Sequence, residues 1–152
     1  MKKLITKKRV KEFISILQRV TKQSSDKTKV GCLLLRCQNL QDKSKDRVWD
    51  IISSGHNRVP HFNLPFRDKL DNTHKYVIHA EEEAILKSMP SLDPNVVMFI
   101  SYAPCEHCAA LISIYKKIKE VYYLELLNGN DKGVKLLESL GIRCKKVLDD
   151  SK

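Results

Sequence analysis

The sequence predicts an α/β domain arranged as a three-layer α/β/α sandwich, with one central sheet of about five strands between helices. Three observations predict it. Apolar residues recur at three- and four-residue steps in the first segment, and short continuous apolar runs alternate with helical stretches down the rest of the chain. The element order reads α, β, β, α, β, α, β, α, β, and 152 residues leave room for one such domain, taken as residues 1–152.

Across residues 8–22, Val10, Phe13, Ile14, Leu17 and Val20 share one helical face that packs on a sheet. Residues 23–28 are polar and read as a loop. Residues 30–35 form a continuous apolar run too short for a core helix, the pattern of a buried strand. The polar stretch 38–46 reads as a hairpin connection to a second strand at 48–53. Residues 55–76, with Pro60 and Pro65 and no clear period, read as a long loop of the kind that often carries function. Residues 79–87 are rich in Ala, Glu and Leu and read as a helix, stopped by Pro90; 96–100 form a third strand. Pro104 breaks the chain before a helix at 105–117, and 121–126 is strand-like. A helix at 131–140, ended by Gly141, and a strand at 142–147 complete the order.

Hydrophobic residues at 42% and charged residues at 30% exclude a wholly disordered or fibrous chain. No apolar run reaches the ~20 residues of a membrane-spanning helix. The basic N-terminus has its apolar residues broken by Lys7, Lys8, Arg9 and Lys11, unlike a secretory signal, so a cytoplasmic protein with no membrane partner is expected. The net charge of +10 is concentrated: ten basic and two acidic side chains precede Val30. Such a segment attracts phosphates of nucleotides, RNA or membranes, or simply forms a solvated helix face. Five cysteines with one close pair argue against a disulfide framework and leave a redox pair or two thiolate ligands.

The chemistry lies in His79-Ala80-Glu81 and Pro104-Cys105-Glu106-His107-Cys108, each at the start of a helix. One imidazole and two sulfurs are ligands suited to zinc. A helix N-terminus favours the thiolates that metal binding requires, and Pro104 fixes the entry to the turn. Three protein ligands leave a fourth tetrahedral position for a water that loses its proton near neutral pH. Glu81, two residues past the histidine, stands near the metal as a proton carrier. Two other readings remain at this point: a closed zinc knot completed by His107, His74 or another cysteine, and a thioredoxin-like redox pair that leaves His79 and Glu81 without a role. Cys32, Cys37 and Cys144 could form a second metal site, but Cys32 in an apolar strand reads better as a small buried hydrophobe.

The H-x-E and P-C-x-x-C pair is the known signature of the zinc nucleobase deaminases. At these residues the sequence resembles the cytidine deaminase superfamily, and more particularly the deoxycytidylate (dCMP) deaminases, including short phage-encoded forms. The likeness extends over roughly residues 8–147. It includes Ser25-Asp26, Val30-Gly31-Cys32, Gly55-His56-Asn57-Arg58-Val59-Pro60, the Lys75 to Glu81 approach, Ser101-Tyr102-Ala103-Pro104-Cys105, and the runs beginning at Ile118 and Gly133. The resemblance implies a cytidine deaminase-like fold with a mixed sheet, one Zn²⁺ held by His79, Cys105 and Cys108, and Glu81 as proton shuttle. The implied reaction is hydrolysis at C4 of the base, giving dUMP and ammonia and feeding dTMP synthesis.

It further implies a base contact from the Ala80 backbone and a sugar contact from Asn57. A phosphate needs cationic donors, for which Arg58 and Lys29 rank ahead of Arg67 and Lys69, and Tyr102 is a candidate to stack on the base. Larger relatives form hexamers and respond to dCTP and dTTP, so a homo-oligomer, these effectors, and Mg²⁺ accompanying a nucleotide effector are expectations of the resemblance. His56 and Arg58 stand where the family has Tyr and Gly, as in some free-base and tRNA adenosine deaminases. A nucleobase or RNA nucleoside deaminase is the alternative, with the basic N-terminal segment touching RNA. A non-catalytic zinc protein that binds nucleic acid is the third reading.

Overall fold

The computed structural model describes residues 5–38, 47–88, 95–115 and 118–147. Its elements follow the expected order: α1 (Lys7–Thr21), β1 (Gly31–Cys37), β2 (Trp49–His56), α2 (Ala80–Ser88), β3 (Val96–Tyr102), α3 (Glu106–Ile114), β4 (Ile118–Glu125), α4 (Lys132–Ser139) and β5 (Arg143–Lys146), with a 3₁₀ turn at Leu127–Gly129. The sheet has the strand order β2-β1-β3-β4-β5. Strand β1 runs antiparallel to both neighbours, while β3, β4 and β5 are parallel, so the sheet is mixed. Among the described residues no helix is long and apolar enough to cross a membrane.

Alternation along the strands divides the core into two layers. Leu33, Leu35, Val97, Phe99 and Tyr122 face α1, whose Phe13, Ile14, Leu17 and Val20 are the buried members of the helical stripe. Cys32, Leu34, Met98, Ile100 and Val121 face the opposite way, against Ala84 and Ile85 of α2, Ala109 and Ile112 of α3 and Leu137 of α4. Helix α1 starts where Thr6 caps it, its hydroxyl accepting from the Arg9 amide at 3.3 Å.

Three boundaries differ from the sequence expectation by three residues, the others by two at most. Strand β2 continues through Ser54 to His56, because the buried Ser53 hydroxyl donates to the Ala84 carbonyl at 2.7 Å and a polar run thereby lies against α2. Helix α3 ends at Ile114, where Tyr115 leaves helical geometry with ψ 72°. Strand β4 begins at Ile118, three residues early, and buries the charged Glu120 completely. The hairpin connection expected at 38–46 lies outside the described residues beyond Gln38, whose amide donates to the Val48 carbonyl at 2.9 Å; Pro90 also lies outside them.

Glu120 is a costly group to bury unless it is paired. It accepts from the Tyr122 hydroxyl and forms an ion pair with Arg143 at 2.5 Å. Burial, reinforced by this carboxylate, pushes the Tyr122 phenol above its usual range. Replacing Arg143 by Met leaves the carboxylate uncompensated. Since the Arg143 side chain is 45% exposed, the expected cost is about 2 kcal/mol rather than the larger figure for a fully buried pair. Urea denaturation of the two proteins checks it.

Candidate metal centre

His79 stands immediately before α2. Its amide donates to the Glu82 carboxylate at 3.2 Å and its carbonyl accepts the Glu83 amide at 3.1 Å, so the residue is locked into the first turn. Three acidic residues in that turn suit the positive end of the helix. On the N-terminal side, Arg58 and Ile78 exchange backbone hydrogen bonds of 3.0 and 2.8 Å, which fixes the approach to His79. Cys105 occupies the N-cap of α3 in extended geometry, and its carbonyl accepts the Ala109 amide at 2.8 Å. Cys108 lies one turn on, which brings both sulfurs to one side of the helix start.

The three residues converge. His79 Nδ1 lies 3.8 Å from Cys105 Sγ and 3.3 Å from Cys108 Sγ, and the three ligand atoms lie within 4.8 Å of one another. A tetrahedral zinc with ordinary Zn–N and Zn–S bonds separates nitrogen from sulfur by about 3.5 Å, so the donor set and its spacing fit the ion. No other histidine, cysteine or carboxylate among the described residues joins the group, which removes His107 and His74 from a closed knot. The same search among the described residues finds no second metal cluster at Cys32, Cys37 or Cys144, and Cys32 is fully buried in β1.

Proton storage in the cluster is uneven. A hydrogen bond from Cys108, opposed by burial and aided by His79, holds the Cys105 thiol well below its usual range, while that bond and burial push Cys108 above it. The Cys105 hydrogen bond outweighs burial and raises His79 to about 9. In the metal-free protein His79 and Cys108 therefore carry protons near neutral pH that a metal must displace. Zinc uptake at pH 7 should release about two protons, so affinity should climb about 100-fold per pH unit below the His79 value. Chelator competition at two pH values checks this; a flat profile would contradict it.

Glu81 lies on the first turn of α2, 4% exposed. Burial pushes its carboxyl up to about 7, against the opposing pull of the His79 charge and a hydrogen bond with Cys108. A carboxylate poised near neutrality beside the cluster can both accept and return a proton.

The candidate substrate contacts are placed less uniformly. Asn57 is buried beyond the end of β2; its Oδ1 accepts the Val30 amide and its Nδ2 donates to the Thr28 carbonyl, both at 2.8 Å. One amide hydrogen and one oxygen lone pair remain on this side chain. Ala80 opens α2 fully buried, with its carbonyl against Gly55. Arg58 reaches Glu83 at 3.3 Å with its side chain half exposed, and Lys29 donates to the Ser24 carbonyl at 2.5 Å. Tyr102 and Lys29 line a cavity of about 660 Å³ together with Lys22 and Lys146. Arg67 is committed to Asp26, with two hydrogen bonds of 3.0 and 3.1 Å.

Sequence reasoning missed Glu82 as the group that caps His79, and Glu83 as the buried carboxylate that collects Arg58, His56 and Lys87. The acidic triplet Glu81-Glu82-Glu83 was the available signal, since three carboxylates in one first turn cannot all share one task. Gly133 was also missed. A Cβ there would lie 1.9 Å from the Pro104 carbonyl oxygen, so α4 presses directly on the turn that presents Cys105.

Comparison with known proteins agrees with this geometry. The family described as cytidine and deoxycytidylate deaminase zinc-binding region matches residues 7–125. A probable deoxycytidylate deaminase of Caenorhabditis elegans is 30% identical over 125 residues, covering 78% of this chain and 58% of that one. The human deoxycytidylate deaminase is 35% identical over 82 residues, 49% of this chain and 46% of that protein. The chain thus spans about half of these relatives' length. Among solved structures, a dCMP deaminase of cyanophage S-TIM5 in complex with dCMP and dUMP superposes with a TM-score of 0.75 at 23% identity, covering 94% of this chain and 99% of that one. A sequence signature on two helix starts, a three-atom cluster of zinc-ligating spacing and a family match over most of the chain lead to one assignment: this chain belongs to the cytidine and deoxycytidylate deaminase zinc-binding family.

Proposed function

We propose that this protein is a zinc-dependent dCMP deaminase that hydrolyses dCMP to dUMP and ammonia. The observation that carries the proposal is the meeting of His79, Cys105 and Cys108 beside the buried Glu81. The names of the relatives support the substrate, as does the nucleotide pair bound to the cyanophage protein. His79 Nδ1 and the two sulfurs would hold the zinc; once bound, it supplies Lewis acidity that brings a water's pKa toward neutrality.

The remaining steps belong to the chain. Glu81, whose raised affinity lets it hold a proton, takes the first from the water and gives it to N3 of the cytosine ring. It then takes the second from the hydroxyl added at C4 and gives it to the amine, which leaves as ammonia as the C4 carbonyl forms. The N-termini of α2 and α3 keep the negative charge of the sulfurs stable, and Glu82 keeps the imidazole backbone from fraying. Asn57 meets the sugar with its remaining amide hydrogen and lone pair, the Ala80 backbone meets the base, and Tyr102 stacks on the ring. Lys29 and Arg58 turn toward the phosphate, which requires each to leave its present partner.

The proposal includes one domain over residues 1–152, a cytoplasmic setting and a homo-oligomer. Phe62 and Leu70, 85% and 83% exposed on the long connection between β2 and α2, are surfaces that a second copy would cover. Effector control by dCTP or dTTP with Mg²⁺ is part of the same reading. Incubating zinc-loaded protein with dCMP, deoxycytidine, cytosine and a structured RNA, and measuring ammonia from each, tests the assignment. Release from dCMP alone supports it; release from RNA or cytosine alone moves the substrate; binding without release removes the enzyme. Repeating the dCMP arm with dCTP, dTTP and Mg²⁺ tests the effectors.

A further inference from the structure

The connection from Asn57 to Ile78 is an excursion that leaves β2 and returns one residue before His79. Its base is closed by the Arg58–Ile78 backbone pair, and its far end by a second bridge, Arg67 with Thr73. That far end is ordered from within: the His74 amide donates to the Phe66 carbonyl at 2.9 Å, and the Asp68 carboxylate accepts the Leu70 and Asn72 amides at 2.9 Å each. From it Arg67 reaches across to the α1–β1 connection. Its Nε and Nη2 grip the two oxygens of Asp26, Nη2 also donates to Thr28 Oγ1 at 3.3 Å, and Nη1 donates to the Asp71 carbonyl at 3.1 Å. Lys27 adds an ion pair with Asp71.

Asp26 is 6% exposed, and the pair joins residues 41 positions apart. A planar guanidinium that meets a buried carboxylate through two parallel bonds sets distance and orientation together, which a lysine at the same position would not do. Thr28 is held twice over, its hydroxyl by Arg67 and its carbonyl by Asn57, while Val30 is held by the other end of the same asparagine. The segment 26–30 is thus fastened at one end by the tip of the excursion and at the other by its base.

We propose that the Asp26–Arg67 pair is a latch: it fixes the excursion against the α1–β1 connection and thereby sets the segment 26–30, with Lys29, as one wall of the nucleotide site. Arg67 is a positioning residue that touches no substrate. Its effect is expected on binding, because the segment it orders carries Lys29 and is bonded to Asn57, the side chains proposed for the phosphate and the sugar, while the metal cluster and Glu81 rest on α2 and α3. The inference rests on the dCMP reading for its kinetic part alone.

The test uses the zinc-loaded full-length protein with Arg67→Ala, Arg67→Lys and Asp26→Asn. Arg67→Ala should raise the KM for dCMP about tenfold with kcat nearly unchanged, the size expected from a displaced binding wall. Amide exchange in 26–30 and in 57–78 should accelerate by a similar factor while zinc stays at one per chain. Arg67→Lys, which keeps the charge and loses the fork, should recover part of both effects. If Arg67→Ala does not fold, Arg67→Lys and Asp26→Asn carry the comparison. Unchanged exchange in 26–30 overturns the latch. Faster exchange with an unchanged KM, or a loss confined to kcat, overturns its link to the substrate. Wild-type protein that leaves dCMP intact overturns the proposed function instead, and exchange in 26–30 then decides the latch by itself.

Discussion

Glu81→Gln should lower ammonia release from dCMP by about 10³-fold, the range of a lost general acid–base group, while leaving one zinc per chain. The substitution keeps the shape of a side chain that is 4% exposed on the first turn of α2 and removes only its capacity to carry a proton. It should not unsettle the fold. Burial already disfavours the charged carboxylate, as its rise to about 7 shows, so a neutral amide costs the folded state little. The ligand atoms of His79, Cys105 and Cys108 belong to other residues and keep their spacing. Measuring kcat, zinc content and thermal unfolding on the same preparation separates the roles. Retention of a tenth of the activity would remove Glu81 as the proton carrier, and zinc lost together with activity would make it a structural support of the cluster.

The second large effect is expected at Gly133, far from Glu81 in sequence and outside the cluster. A methyl group there would lie 1.9 Å from the Pro104 carbonyl oxygen, 2.8 Å from its carbon and 2.9 Å from the Cys105 carbonyl carbon. All three are backbone atoms, so no rotamer change relieves the overlap. Either α4 retreats or the turn carrying Cys105 moves, and the sulfur shifts relative to His79. Gly133→Ala should therefore weaken zinc binding by about 10- to 100-fold, the usual consequence of disturbing the support of a metal ligand. Gly141→Ala is the control. That glycine has φ +82° with nothing near its added methyl group, so alanine there costs about 1 kcal/mol of backbone strain and leaves zinc affinity unchanged. Chelator competition on the two variants distinguishes displacement of the metal turn from general destabilisation. Equal zinc affinities would refute the packing argument.

The elements were legible wherever their pattern was local. The stripe from Val10 to Val20, the apolar runs of β1 and β3 and the Pro104 break each declare themselves within a few residues, and the structure places an element at every one. The misplaced ends of β2 and β4 share one cause: a buried polar residue satisfied by a partner that tertiary structure supplies. Ser53 extends β2 because the Ala84 carbonyl accepts its hydroxyl, and Glu120 enters β4 because Tyr122 and Arg143 neutralise it. Burial of a polar group depends on what tertiary structure supplies, so neither composition nor period reveals it.

The site divides along the same line. His79, Glu81, Cys105 and Cys108 could be singled out from the sequence because metal chemistry restricts residue type and each pair sits on one helix turn. Their meeting across 26 residues, at nitrogen–sulfur distances suited to zinc, is a product of the fold. The cations followed the opposite course. Arg58 and Lys29 ranked ahead of Arg67 as phosphate donors in the sequence, yet the structure gives Arg67 to Asp26, Arg58 to Glu83 and Lys29 to a carbonyl. A charge is attracted to any opposite charge within reach, and which one it reaches is decided by chain packing rather than by its neighbours in sequence. The order of elements and the identity of the candidate zinc ligands were therefore determined by the sequence alone, since both are local properties. The sheet order, the pairing of the buried charges, and the close approach of Gly133 to the metal turn were decided by the tertiary structure, because each needs two distant segments to occupy the same few ångströms.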